Sequence, residues 1–225
     1  MAGGPGSGKT RVINQLGLRI RMRVINPDDQ YEAAMKAECI PMNRESIMDE
    51  YMPIRSEYLD AERAGDSETV ERLRPDYERL RNILSRNMTL FNQARAQAKR
   101  DREECCANLE DYVVDGTGGN LSEIKRQVKD AKDRGYEIGM IYVHVPLEVS
   151  YSRNRERGKA KPGSDKPNRS LTPGTVKRSW TAVARNRAAY EQLFKSNFFV
   201  VVNTDEESEA SINNVRSHIA SFLES

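Results

Sequence analysis

The feature that most constrains this chain lies in its first ten residues. Gly3-Gly4-Pro5-Gly6-Ser7-Gly8-Lys9-Thr10 carries the spacing G-x-x-x-x-G-K-[ST] of a phosphate-binding loop. Glycines reach backbone dihedrals closed to other residues, so successive N–H groups can curl around an anion. Gly4, Pro5, Gly6, Ser7 and Gly8 form the candidate cradle, Lys9 supplies a point charge for the outer phosphates, and Thr10 offers a hydroxyl to Mg²⁺. Val12, Ile13 and Leu16 follow at helical spacing, which predicts a helix over 11–18 opened by the loop. Such a loop hangs from the end of a buried strand, and here Met1 and Ala2 precede it. The sequence therefore predicts a fold whose first strand is missing, with an apolar stretch encoded just upstream.

Charge narrows the partners. The chain of 225 residues has 36 basic and 34 acidic side chains, a balance that argues against coating nucleic acid by bulk charge. Binding of extended duplex DNA is not expected. No apolar run reaches the length of a membrane span, and the N-terminus lacks a signal-peptide segment. The cysteines, Cys39, Cys105 and Cys106, are odd in number and two are adjacent, which fits a reduced, cytoplasmic setting. Cys105 and Cys106 sit in a charged helical run and read as structural.

Residues 23–26 form a short strand pattern closed by Pro27-Asp28-Asp29. Two acids at that place admit two compatible roles. One carboxylate can accept the proton of an attacking hydroxyl, and one can cap a helix beginning near Gln30. Residues 43–111 read as a helical insertion. Val70, Leu73, Tyr77, Leu80, Ile83, Leu84, Met88, Phe91, Ala94 and Ala98 recur at three- and four-residue steps, the stripe of a packed helix. Gly65-Asp66-Ser67 divides this region into a hairpin, and Pro75 is expected near a helix start or kink. Arg79, Arg81, Arg86, Arg95, Lys99 and Arg100, interleaved with acids, read as a solvated face.

Tyr112-Val113-Val114 feeds Asp115, followed by Gly116-Thr117-Gly118-Gly119. Taken locally, Asp115 is a turn residue; with a phosphate loop upstream it becomes the acid that holds Mg²⁺ directly or through water. The residue after it is Gly116, not the glutamate that ATP-driven motors place there to activate water. The chain suits transfer better than hydrolysis. A helix over 122–134 stops at Gly135, and 140–145 is a strand covered on both faces. Pro146 starts a helix on which Arg153 and Arg157 lie four apart, where they can clamp phosphate oxygens or remain solvated. The stretch 159–169 has the composition of a mobile flap, giving a flexible lid at about 153–172. Thr172-Pro173 caps a helix carrying Trp180, Val183, Tyr190 and Phe194 as core contacts. A last strand at 198–202 and a helix over 211–223 complete the chain, and His144 and His218 read as structural.

Strands alternating with helices predict a three-layer α/β fold with a parallel sheet in one domain. Four ordered pieces resemble the P-loop kinases that include phage polynucleotide 5′-kinase and the zeta-toxin group. They are Gly3 to Thr10, Ile25-Asn26-Pro27-Asp28-Asp29, Val113-Val114-Asp115-Gly116-Thr117 and Arg153-Asn154-Arg155-Glu156-Arg157-Gly158. The resemblance implies that Asp28 is the general base for the acceptor hydroxyl, with Asp29 the second choice. It also implies that Arg153 and Arg157 are lid arginines touching the nucleotide and the transferring group. An Arg follows the paired acids in polynucleotide kinases, whereas Gln30-Tyr31-Glu32 follow here, and the insertion also differs. The expectation is an ATP- and Mg²⁺-dependent phosphotransferase acting on a small or single-stranded hydroxyl acceptor. A nucleoside triphosphate hydrolase or switch, against which no Asn-Lys-x-Asp signature is found, and a non-catalytic nucleotide-binding module are the alternatives.

Overall fold

The computed structural model describes residues 1–42, 44–159 and 171–224. The chain is mixed α/β, mostly helical, with small parallel sheets. It divides into two units, Met1–Asn26 with Ala98–Glu156 and Leu171–Ser225, and Pro27–Gln97 with the stretch from Arg157.

In the first unit, β1 (Arg23–Ile25) pairs with β2 (Tyr112–Val114), and β3 (Met140–His144) pairs with β4 (Phe198–Val202), both in parallel. The N-terminal residues lie between these pairs. The Met1 amine donates to the Val114 carbonyl at 2.8 Å, and Gly3 N–H donates to the Thr117 carbonyl at 3.0 Å. On the other side, Ala2 N–H donates to Ile141 at 2.9 Å, and its carbonyl accepts from Val143 N–H at 2.8 Å. Where the sequence predicts a missing first strand, Met1–Gly3 thus takes the central place with hydrogen bonds to both neighbours. Ala2 is fully buried there, among Tyr142, Val183 and Tyr190.

Helices flank these strands. α1 (Lys9–Gln15) buries Val12 and Ile13, and α9 (Ser208–Leu223) buries Ile212 and Ile219. Val12 meets Val143, Val201 and Ile212, while Ile13 meets Phe199 and Ile219. α6 (Leu121–Lys132) and α8 (Pro173–Phe194) supply Val128, Val183, Tyr190 and Phe194 around Ala2 and Tyr142. The predicted helix over 11–18 is shorter than expected. Gly17 takes φ 68°, the left-handed conformation that suits a glycine, and a separate turn, α2 (Leu18–Arg21), follows.

The second unit is built on α3 (Pro27–Ala37), α4 (Arg44–Ala64) and the first part of α5 (Ser67–Asn108). The predicted hairpin forms, with Gly65 at φ 73° between its arms. Tyr31 and Met35 of α3 pack on Leu90 and Ala94 of α5. Three expectations are corrected. α3 starts at Pro27 rather than near Gln30, because proline's fixed φ suits a first helical turn, so Asp28 and Asp29 lie inside that turn. Pro75 is not a helix start: α5 continues through it, with buried Leu73 and Leu80 on either side. Met88 is exposed, while Asn87 and Leu90 take the buried face. Asn87 is drawn inward by Tyr31, whose hydroxyl donates to its Oδ1 at 2.7 Å.

The basic face is solvated, as expected. Arg79 pairs with Glu50 at 2.6 Å, Arg86 with Glu38, and Lys99 with Glu103 at 3.7 Å. Cys105 is fully buried, and burial raises its thiol pKa, in keeping with a structural role; Cys39 is exposed.

Candidate functional site

The loop from Gly3 to Gly8 is held on several sides within the first unit. Gly6 and Gly8 have φ 71° and 80°, the conformation for which the motif spends its glycines. Space demands them as well. A Cβ on Gly6 would lie 2.9 Å from the Ser150 carbonyl, and one on Gly8 would collide with the Asn203 amide nitrogen. Gly4 lies against Trp180, whose ring a Cβ would touch at 3.4 Å. Trp180 is therefore partly a wall of the loop, beyond the core role expected of it, and its Nε1 donates to the Val145 carbonyl at 2.9 Å. The Ser150 hydroxyl donates to the Pro5 carbonyl.

At the loop's end, Lys9 opens α1, and its Nζ donates to the carbonyls of Gly3 at 2.9 Å and Gly4 at 3.5 Å. The ammonium is thus folded over the cradle. Thr10 is exposed beside it in the first turn. Asp115 follows β2 and is buried, with Oδ2 accepting from Asn26 Nδ2 at 3.3 Å. Its backbone N–H donates to Ile25 at 2.9 Å. Burial lowers the pKa of the Met1 amine to about 6; Asp115 pulls it back up and Lys9 pushes it down. Residue 115 follows β2, whose Val114 carbonyl accepts from the Met1 amine, and Lys9 reaches back to the Gly3 carbonyl, so strand pairing has gathered residues 115 and 9 at one end of the sheet.

A buried side chain that sequence reasoning missed completes this end. Asn203 follows β4 with no exposure, donates from Nδ2 to the Ser7 carbonyl at 2.6 Å and accepts at Oδ1 from the Ser208 hydroxyl at 2.7 Å. The signal available was a polar residue directly after an apolar strand, a pattern shared by ordinary turns. Arg153, on α7 (Leu147–Gly158), bonds the Asn203 carbonyl at 2.8 Å and Asp205 at 2.9 Å. It is thereby beside the loop.

The other expected residues belong to the second unit. Asp28 and Asp29 are exposed in the first turn of α3. Arg157 pairs with Glu32 at 2.8 Å. Arg153 and Arg157 are therefore engaged by different acceptors rather than by a shared one. Of the expected lid, 153–158 is helical, and Asn154 clamps Leu171 through bonds of 2.8 and 3.1 Å; residues 160–170 lie outside the described residues.

The donor set suits the group it implies. A glycine cradle that side chains would fill, a lysine over it, and hydroxyl and carboxylate oxygens from Thr10 and Asp115 are what a nucleotide phosphate with Mg²⁺ requires. Among the described residues no helix is long and apolar enough to cross a membrane. No curated protein and no solved structure matches the chain. The family pattern AAA_33, an AAA domain, matches residues 1–175, which include the loop, Asp28, Asp115, Arg153 and Arg157. The chain therefore belongs to this AAA domain family of P-loop NTPases, proteins that bind nucleotide with Mg²⁺.

Proposed function

We propose that this protein is an ATP-dependent phosphotransferase that moves the terminal phosphoryl group to a hydroxyl acceptor. The observation that carries the reading is Asp115, buried at the end of β2 and followed by Gly116. The acid for Mg²⁺ is present, and no adjacent glutamate is there to activate water.

A bound Mg²⁺–ATP supplies the phosphoryl group and offsets charge on its oxygens. The chain's part is position and charge. Backbone N–H groups of the loop fix the phosphates, Lys9 stabilises the outer oxygens, and Thr10 and Asp115 hold the ion or its waters. Asp28 takes the acceptor's proton, with Asp29 as second choice. Arg153 and Arg157 stabilise charge on the transferring group, each by leaving the acid that now holds it. The likeness to polynucleotide 5′-kinase and zeta-toxin proteins supports these roles, as does the exposure of Asp28.

Gln30-Tyr31-Glu32, where polynucleotide kinases place an arginine, supports an acceptor without a phosphate at that place. Near-neutral charge supports a small or single-stranded acceptor over an extended duplex. The test is a panel of hydroxyl acceptors with terminally labelled ATP: nucleosides, nucleotides, nucleotide sugars, single strands and duplexes. Label on one small or single-stranded class is the expected result. Label released only to water establishes a hydrolase, and tight binding without turnover a binding module; either overturns the reading.

A further inference from the structure

The loop's shape depends on a residue outside the motif. We propose that Asn203 is the positioning residue of the phosphate loop, setting the direction in which the Ser7–Gly8 peptide presents its N–H. The proposal rests on the nucleotide-binding reading of the site and not on phosphoryl transfer. Ser7 is 1% exposed, Asn203 0% and Ser208 1%, so water cannot replace the bonds among them. Asn203 Nδ2 donates to the Ser7 carbonyl at 2.6 Å. A trans peptide points its C=O and N–H to opposite sides, and no cis bond occurs among the described residues. Turning the Ser7 carbonyl toward Asn203 therefore turns Gly8 N–H away from Asn203, into the loop's concavity.

The amide itself cannot flip. The Ser7 carbonyl can only accept, so the nitrogen must face it, and the oxygen is left to accept from Ser208 Oγ at 2.7 Å. The backbone of Asn203 is also fixed, its N–H donating to the His144 carbonyl at 2.9 Å. Its own carbonyl accepts from Arg153. One residue therefore ties β3, the loop and Arg153 together. The close approach also explains Gly8, because any side chain there would displace the amide.

The experiment compares Asn203→Ala, Ser208→Ala and Ser211→Ala by melting temperature and by Kd for Mg²⁺–ATP and for inorganic triphosphate. Ser211 is the structural control: its hydroxyl accepts from Val202 N–H at 2.8 Å, next to Asn203 in the chain and with no bond to the loop. Asn203→Ala is expected to weaken both ligands by about tenfold, the worth of one well-placed hydrogen bond. Ser208→Ala should weaken both by less, and Ser211→Ala should lower the melting temperature with both Kd values unchanged. Unchanged affinity in Asn203→Ala overturns the proposal, as does an equal loss in Ser211→Ala or a loss confined to ATP. If Asn203→Ala does not fold, Asn203→Asp keeps the shape and the Ser208 bond while replacing the donor that faces Ser7. Full affinity in that variant overturns the proposal too. Since binding is read, a chain that binds nucleotide without transfer ends the kinase reading and leaves this one standing.

Discussion

Around the phosphate loop the buried side chains include Ser7, Asn26, Asp115, Ser150, Asn203 and Ser208; among the described residues of the helical unit, the one buried polar side chain is Asn87. The hairpin orders itself with an apolar stripe, Leu73, Leu80, Leu90 and Ala94, and places its charges outside. Such a stripe tolerates small shifts along its length. The loop cannot, because the amides of Asn26 and Asn203 and the hydroxyls of Ser150 and Ser208 each have a partner at a fixed distance and cost free energy without it. A site that must match a phosphate is built from groups with direction, and an arm that need only stand is built from groups without it.

The contrast is tested most severely by chemistry. Lys9→Ala should abolish measurable nucleotide binding, whereas Asp28→Asn should keep ATP affinity and lose transfer by about 10²–10⁴-fold, the usual worth of a general base. Transfer rates and Kd measured on both variants decide it; loss in Asp29→Asn alone would move the base to that residue. Next in size is the stripe. Leu80 is 1% exposed, and Leu80→Ala should cost about 2–5 kcal/mol on denaturant unfolding, with little effect on ATP affinity in the folded protein. Should affinity fall in step with stability, the two units are not energetically separate.

Two glycines sharpen the comparison further. Gly65 and Gly8 have similar dihedrals, φ 73° and 80°, in opposite surroundings. Nothing lies within 4 Å of a Cβ at Gly65, so Gly65→Ala should cost about 1–2 kcal/mol from dihedral strain alone. Gly8→Ala meets the same strain and also displaces Asn203, so it should lower both melting temperature and nucleotide affinity. Equal melting temperatures for the two variants would show that the Asn203 contact is soft.

The smallest effects concern titration and surface charge. His144 in β3 has its pKa lowered, first by burial and then by Arg187, with Glu207 opposing. The neutral ring is the folded form, so the unfolded chain binds the proton first and stability falls as pH drops below about 6.5. His144→Gln should flatten that part of the stability curve; an unchanged slope assigns it to other groups. Arg86→Ala breaks the exposed pair with Glu38 and should change the melting temperature less than any variant above, with the difference vanishing in high salt.

The sequence by itself determined the local elements. Glycine spacing named the loop, short apolar runs named the strands, the period-3.6 pattern named the hairpin, and Thr172-Pro173 named a cap, seen as Thr175 N–H donating to Thr172 Oγ1 at 3.2 Å. These are legible because each depends on residues within one or two turns of one another. The misreading at Met88 shows the limit, since a helix's buried face is settled by what packs on it, here Tyr31. Tertiary structure alone decided the order of the strands, with residues 1–3 laid between β2 and β3, and thereby the meeting of loop, Asp115 and Asn203. Ser7 and Asn203 lie 196 positions apart. No local pattern encodes such a bond, because the free energy that selects it is the cost of leaving a buried carbonyl without a donor, and that cost exists only once the chain has closed around it.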